Sequence, residues 1–491
     1  MSFVKNKTYL IISKWAYPFG GGEEFLYQTM EWAGIYLRMK VYWICFSDAK
    51  NNNFEKLEIE TYESGIVIKV PGGATQETIS DWLALIKPDI VHHQGHLRMH
   101  FFNPCEAKRI EFLSGYHFWH GAILLDPVLK NSNILLNFEH HQTDNELKYL
   151  YGRKYCNLYT VTPFVSDCIK KITGFNIERN IYSSSSRKKI KVKNIDVIRN
   201  KYVTMINVHH LKGGEIFLYL IENCPNIPFI GIKTEYGSEY LDERIELAIK
   251  KRNMNGDDSC NCMLINRVSN PKIIYEKTCI TLIPTLVDET FCRVMNESMM
   301  NGIPVITSGY GNTKYLLKDS GYIIDPNDLQ KWKDTLDKLY FDKKLLEIQS
   351  QKTLSDYDLY SEAKAFQLFK AGIKETIANS KEMNIMLFTP WCDQGLGIQS
   401  KNYYDILKNT HYRVFIFAIK PYNANSCIEL QKNPREWEVP NIYYSNNDRE
   451  NVTDMELINF VNMYNIGKCI IPETCWFRIF EIAKTLRCNN V

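Results

Sequence analysis

Short apolar runs alternate with amphipathic stretches of helical length almost from the start of the chain. TYLIIS (Thr8–Ser13) has the length and branched side chains of a strand; the glycine-rich FGGGEEF (Phe19–Phe25) and a helical stretch through EEFLYQTMEWAGIYL follow it. KVYWICFS, GIVIKV, DIVHHQ, IEFLSGYHF and LYTVTP read as further strands, with ETISDWLALIK as one of the helices between them. This rhythm predicts a parallel sheet, because parallel neighbours cannot be joined by a tight turn and need a crossover helix. A second series opens at YVTMINV (Tyr202–Val208) and passes through IPFIGIK, CNCMLINR, CITLIPT and PVITSG to GYIIDP, ending near Tyr357. Residues 361–378 then read as a closing helix. A third beginning, NIMLFTPW (Asn384–Trp391) with CDQGLGIQSKNYYDIL and YRVFIFAIK, repeats the strand, glycine loop and helix order of residues 8–37 at domain scale.

The expected fold class is therefore α/β: a Rossmann-like domain over residues 1–195, a second over 196–380 that includes the closing helix, and a partial third α/β region over 381–491. Three units agree with the length of 491 residues, at roughly 150 residues per domain. SSSSRKKIKVK (Ser183–Lys193) interrupts the pattern and reads as part of a solvated linker between the first two domains, with proximity to phosphate as the other reading of its basic run.

Composition narrows the function class. With 45% apolar and 23% charged residues the chain is globular, and a net charge of +3 gives no electrostatic case for nucleic acid as the main partner. Anionic small molecules stay open, since one phosphate pocket needs only one or two cations. No apolar run approaches the ~18 residues of a membrane span. The N-terminal apolar stretch is broken by Lys14 and has no small-residue cleavage site, so a cytoplasmic location is expected. Fourteen cysteines without framework spacing read as reduced thiols. The pairs His92–His93, His140–His141 and His209–His210 predict no metal site, because adjacent strand residues point to opposite faces.

The densest local signal is DETFCRVMNESMMNGIPVITS, which holds Glu289 and Glu297. A helix starting at Thr290 would bring both carboxylates to one face near its amino end, where free N–H groups and the helix dipole favour anions. Ionised carboxylates suit sugar hydroxyls, since each oxygen accepts hydrogen bonds; the plainer reading is two solvated helix residues. INVHHLKGGEIFL sets Lys212 before Gly213 and Gly214, where a lysine can neutralise phosphate or simply be exposed.

Taken in order, FGGGEEF, KPDIVHHQGH, IEFLSGYHFW, INVHHLKGGEIFL and the Glu289-x7-Glu297 string resemble family 4 of the retaining glycosyltransferases. That resemblance implies the GT-B fold, two Rossmann-like domains facing across a cleft, and a hexosyltransferase without a catalytic metal or other cofactor. The donor would be a UDP- or GDP-sugar and the acceptor a hydroxyl of a glycan, lipid or protein-linked sugar. It implies that Glu297 holds the ribose, Glu289 contacts the donor sugar, and the backbone of Thr290 and Phe291 faces sugar and phosphate. Lys212 would neutralise the leaving diphosphate beside Gly213, and Gly21 and Gly22 would admit phosphate or acceptor close to the backbone. His117, or alternatively His120, would touch the donor sugar near the reacting carbon. Cys292 stands where the family usually has glycine; Asn207 stands where many members have arginine, so either one cation suffices or another, such as Lys233, compensates. The C-terminal region resembles a truncated second glycosyltransferase N-terminal half. A rival reading is a catalytically idle binding or scaffolding module. A sugar-phosphate epimerase or phosphorylase would show signatures not visible here.

Overall fold

The computed structural model describes residues 4–15, 21–48, 52–94, 98–108, 110–116, 146–147, 149–153, 155–193, 195–234, 239–255, 261–378, 384–410, 412–472, 478–489 and 491. The first apolar runs become β1 (Thr8–Ile12), β2 (Lys40–Cys45), β3 (Glu58–Tyr62), β4 (Gly65–Lys69), β5 (Ile90–Gln94), β6 (Glu111–Tyr116) and β7 (Cys156–Thr160). They form one seven-stranded sheet in the order β3-β4-β2-β1-β5-β6-β7. All neighbours are parallel except β3, which runs antiparallel to β4. That edge strand was not expected, and its EIETY sequence explains why. It is mostly exposed and lacks an apolar run, being held instead by Lys69, whose Nζ lies 3.3 Å from Glu58 and 2.5 Å from Glu60.

Burial on both faces explains why the central strands read as continuous apolar runs. On one face Tyr9, Ile11, Trp43 and Ile90 pack against Phe25, Leu26 and Met30 of helix Gly21–Glu31, and also against Ala365, Phe369 and Ile373. Those last three belong to the closing helix Glu362–Ala378, which therefore returns to the first sheet. On the other face Leu10, Ile12, Ile44 and Val91 pack against helices Gln76–Ile86 and Arg98–Ala107.

The second series forms β8 (Tyr202–Val208), β9 (Phe229–Lys233), β10 (Met263–Ile265), β11 (Thr278–Ile283), β12 (Val305–Thr307) and β13 (Tyr322–Ile323). Their order is β10-β9-β8-β11-β12-β13, parallel throughout. The segment joining the two sheets is not the solvated linker expected from its composition. Ser183, Ser184, Ser185 and Ser186 are all buried, because hydroxyls are small enough to be enclosed when partners are supplied. Ser184 Oγ donates to the Tyr360 carbonyl at 2.6 Å, and the Ser185 N–H donates to Asn296 Oδ1 at 3.0 Å. Only basic residues of the segment, Arg187, Lys188 and Lys193, are exposed.

The third series forms β14 (Asn384–Thr389), β15 (Arg413–Lys420), β16 (Ile442–Asp448) and β17 (Lys468–Ile470), a parallel sheet ordered β16-β15-β14-β17. This repeats the order β4-β2-β1-β5 of the first sheet. It docks beside the amino end of β7: at Gly152, with φ +80°, a Cβ would collide with the Phe415 ring. That is the edge of the first sheet opposite to the one facing the second.

Candidate active site

In each of the first two sheets the chain leaves the central strand in one direction, through β2 or β9, and later fills the other side with β5 or β11. Such switch points leave a crevice beyond the carboxyl ends of the strands. The helix start at Gly21 and the loops after β8 and β11 meet there.

After β8 the chain makes one tight turn. His209 Nδ1 accepts from the Leu211 N–H at 3.1 Å, residues His210–Lys212 form a 3-10 turn, and Gly213 adopts φ +83° before helix Gly214–Asn223. Glycine is required here on two counts, the left-handed backbone and the Pro284 carbonyl that a Cβ would strike. The turn points Lys212 toward the loop after β11, where its Nζ lies 2.5 Å from Glu289 Oε1; both side chains are largely covered. This is a charge-assisted hydrogen bond of the short kind.

Glu289 and Glu297 do not share a helix, contrary to expectation. The helix begins at Arg293 and runs to Met300, after Cys292 in a left-handed conformation of φ 63°. Glu289 lies upstream, bridged to Gly311, with its carbonyl accepting from the Asn312 N–H at 2.7 Å. Asn312 Nδ2 also donates to the Phe291 carbonyl at 3.3 Å. The Gly311–Asn312 loop thus pins Glu289 and Phe291 outside the helix, and the reversed backbone at Cys292 keeps the helix from propagating backwards. Glu297 comes from within the helix, accepting from Ser185 Oγ on Oε1 and from the Tyr275 hydroxyl on Oε2, each at 2.7 Å. Burial, then the Glu297 charge, pushes the Tyr275 phenol well up, so it stays a donor.

Lys212 and Glu289 are in direct contact, and Cys292, between Glu289 and Glu297 in sequence, feels all three charges. Burial raises the pKa of the Cys292 thiol, the Glu289 charge raises it further, Lys212 opposes, and Glu297 adds to the rise. One buried, neutral thiol therefore sits within electrostatic reach of all three groups.

From the first sheet, Gly21 and Gly22 open a helix instead of lying in a loop, and neither has a positive φ. Their contribution is room: a Cβ at Gly22 would meet nothing within 4 Å, and one at Gly21 would lie 3.5 Å from Arg293 Cδ. The Gly21 carbonyl accepts from Arg293 Nη1 at 3.0 Å, linking the two halves. A second link runs from Thr162 Oγ1 to the Thr290 carbonyl at 2.9 Å. Phe291, expected to face the donor through its backbone, has its ring buried among Leu147, Val165 and Ile177 of the first half. His117 and His120 lie outside the described residues; β6 ends at Tyr116.

Lys233 is engaged elsewhere, 2.6 Å from Glu246 and 3.8 Å from Asp242, which with the bond to Glu246 foremost raise its pKa. The buried histidines have structural partners: His92 Nε2 meets the Tyr159 hydroxyl at 2.8 Å and His93 Nδ1 meets the Ile12 carbonyl at 2.9 Å. Among the described residues no three potential metal ligands cluster. Arg293, Ser185 and Tyr275 were not anticipated; Arg293 stands four positions before Glu297, and the serine run was the other available signal.

Residues 229–355 match the family described as Glycosyl transferases group 1. No curated protein matches the sequence. Sucrose-phosphate synthase from Thermosynechococcus elongatus superposes with a TM-score of 0.57 at 13% identity, covering 76% of this chain and 100% of that one. HepE of Anabaena, solved with UDP and glucose, gives 0.54 at 12% identity, over 74% and 99%. A trehalose-6-phosphate synthase studied for glycosyl transfer with retention gives 0.54 at 11%, over 75% and 99%. The facing parallel sheets of this chain form a GT-B-like α/β fold, and its second sheet carries the group 1 glycosyl transferase pattern.

Proposed function

We propose that the chain transfers a sugar, with retention, from a nucleotide diphosphate sugar to an acceptor hydroxyl, with residues 1–195 as the acceptor domain and 196–380 as the donor domain. The observation that carries this reading is the contact of Lys212 with Glu289 beyond the second sheet, with Glu297 on the following helix and Arg293 of that helix bonded to Gly21 of the first half. Group 1 membership of the pattern over 229–355 and a neighbour solved with UDP and glucose support a UDP-sugar, with a GDP-sugar as the alternative.

In this mechanism Glu297, pre-aligned by Ser185 and Tyr275, accepts from the ribose hydroxyls. Lys212 turns from Glu289 toward the diphosphate and stabilises the charge that grows as the glycosidic bond breaks. Glu289 is then released to accept from the donor sugar, with the Thr290 and Phe291 backbone and Gly213 beside it. The leaving phosphate takes the acceptor proton on the same face of the sugar, a route that requires no carboxylate nucleophile and no metal. His117 completes the sugar contacts in this proposal. Residues 381–491 form a partial second glycosyltransferase-like domain, and the protein works in the cytoplasm; no helix among the described residues is long and apolar enough to cross a membrane.

The test is a thermal-shift screen against UDP- and GDP-sugars, followed by a donor-hydrolysis assay. A bound donor at 100 times its dissociation constant adds about 2.7 kcal/mol of stability. Binding with slow release of sugar to water supports the transferase. Stabilisation without hydrolysis or transfer favours the idle binding module, a reading that Asn207 and Cys292 keep in play.

A further inference from the structure

We infer that Arg293 is the second cation of the donor site, taking the distal phosphate of a nucleoside diphosphate and coupling its arrival to the start of the acceptor-side helix. This deepens the donor reading above and rests on it. The charge distribution in the cleft leads to Arg293. Lys212 already faces a carboxylate at 2.5 Å. Arg293 faces two neutral acceptors instead: Nη1 donates to the Gly21 carbonyl at 3.0 Å and Nε to Ser185 Oγ at 3.2 Å. Its nearest carboxylate oxygen, Glu297 Oε1, is 3.9 Å away, beyond hydrogen-bond distance. That guanidinium is 20% exposed and paired with Glu297 only at the longer distance of 3.9 Å, and its planar fork matches phosphate oxygens. It also opens helix Arg293–Met300, whose amino end adds partial positive charge.

The connectivity gives the coupling. Ser185 Oγ lies between Arg293 Nε and Glu297 Oε1, so one chain of hydrogen bonds runs from Gly21 through Arg293 and Ser185 to the carboxylate assigned to the ribose. A phosphate that draws Arg293 away from Gly21 alters the acceptor half without touching it.

The test uses calorimetric titration of the full chain with UDP, GDP and ADP and with their monophosphates. For the base that binds, Arg293→Ala should weaken the diphosphate by about tenfold or more, as loss of one charge-assisted bond implies, and leave the monophosphate within about threefold. Arg293→Lys should recover part of the loss. Equal weakening of diphosphate and monophosphate, or of neither, overturns the assignment of Arg293 while leaving the donor site standing. Failure of every nucleotide to bind the unaltered protein overturns the donor reading and this inference together. Hydrogen exchange at residues 21–31 reads the coupling: the diphosphate should change it in the parent protein and not in Arg293→Ala, and an identical response in both removes the coupling.

Discussion

The first and third sheets share one strand order, β4-β2-β1-β5 and β16-β15-β14-β17, and among the described residues the carboxyl edge of the first meets the second half of the GT-B-like fold. At the first sheet, the segment after β1 leads to Gly21, which meets Arg293, while Thr162 after β7 meets Thr290. At the third, the segment after β14 closes on itself. The Gln394 N–H donates to the Cys392 carbonyl at 2.7 Å, and Gly397 packs so tightly beneath that carbonyl that a Cβ would collide with it. The recess left there is lined by Phe388, Thr389, Pro390, Leu396, Ile419, Ile471 and Pro472, without a charged side chain. The same supersecondary frame thus carries a polar, shared crevice in one place and an apolar, private one in the other. A strand order positions loop ends, and the chemistry comes from what the loops carry and what they oppose.

Four experiments break or sharpen that contrast. Phe369→Ala should have the largest effect, because Phe369 is fully buried against the first sheet at a point the third sheet has no such return helix to fill among its described residues. A loss of about 3–5 kcal/mol is expected in denaturant unfolding; a loss below 1 would mean that the closing helix does not brace the first half. Lys212→Ala comes next, with transfer slowed by about 10²–10³-fold while the protein stays folded, its melting temperature lowered only by the loss of the pair with Glu289. Full activity in that variant would sink the site. Gly152→Val places a side chain against Phe415 in a left-handed position, at a cost of about 1–3 kcal/mol. Limited proteolysis should show residues 384–491 cut first, with nucleotide binding retained. If binding is lost instead, the third sheet is not independent of the cleft. Ser185→Ala is the mildest: it removes the hydrogen bond to Glu297 and the acceptor of Arg293 Nε, for about 1–2 kcal/mol, and should raise the donor KM several-fold with kcat nearly unchanged. An effect on kcat alone would contradict the ribose role of Glu297.

Most strands were legible because both-face burial writes itself as unbroken apolar runs, from TYLII at β1 to NIMLFT at β14. The edge strand β3 was not, since EIETY buries almost nothing. Lys212 and Gly213 stood out by their local pattern, and the structure adds why glycine is needed at 213. The pair Glu289 and Glu297 was singled out by its spacing, yet the helix invoked to join them starts at Arg293.

The order of residues alone settled the parallel α/β character, the three successive series and the presence of two carboxylates and a lysine near glycine turns. These are properties of local periodicity and spacing, which the chain expresses wherever it packs. The burial of Ser183–Ser186 and the meeting of Arg293 with Gly21, 272 positions apart, were decided only by the tertiary structure. A hydroxyl or guanidinium carries no local mark of its distant acceptor, and whether it is enclosed depends on which faces of remote elements come together around it.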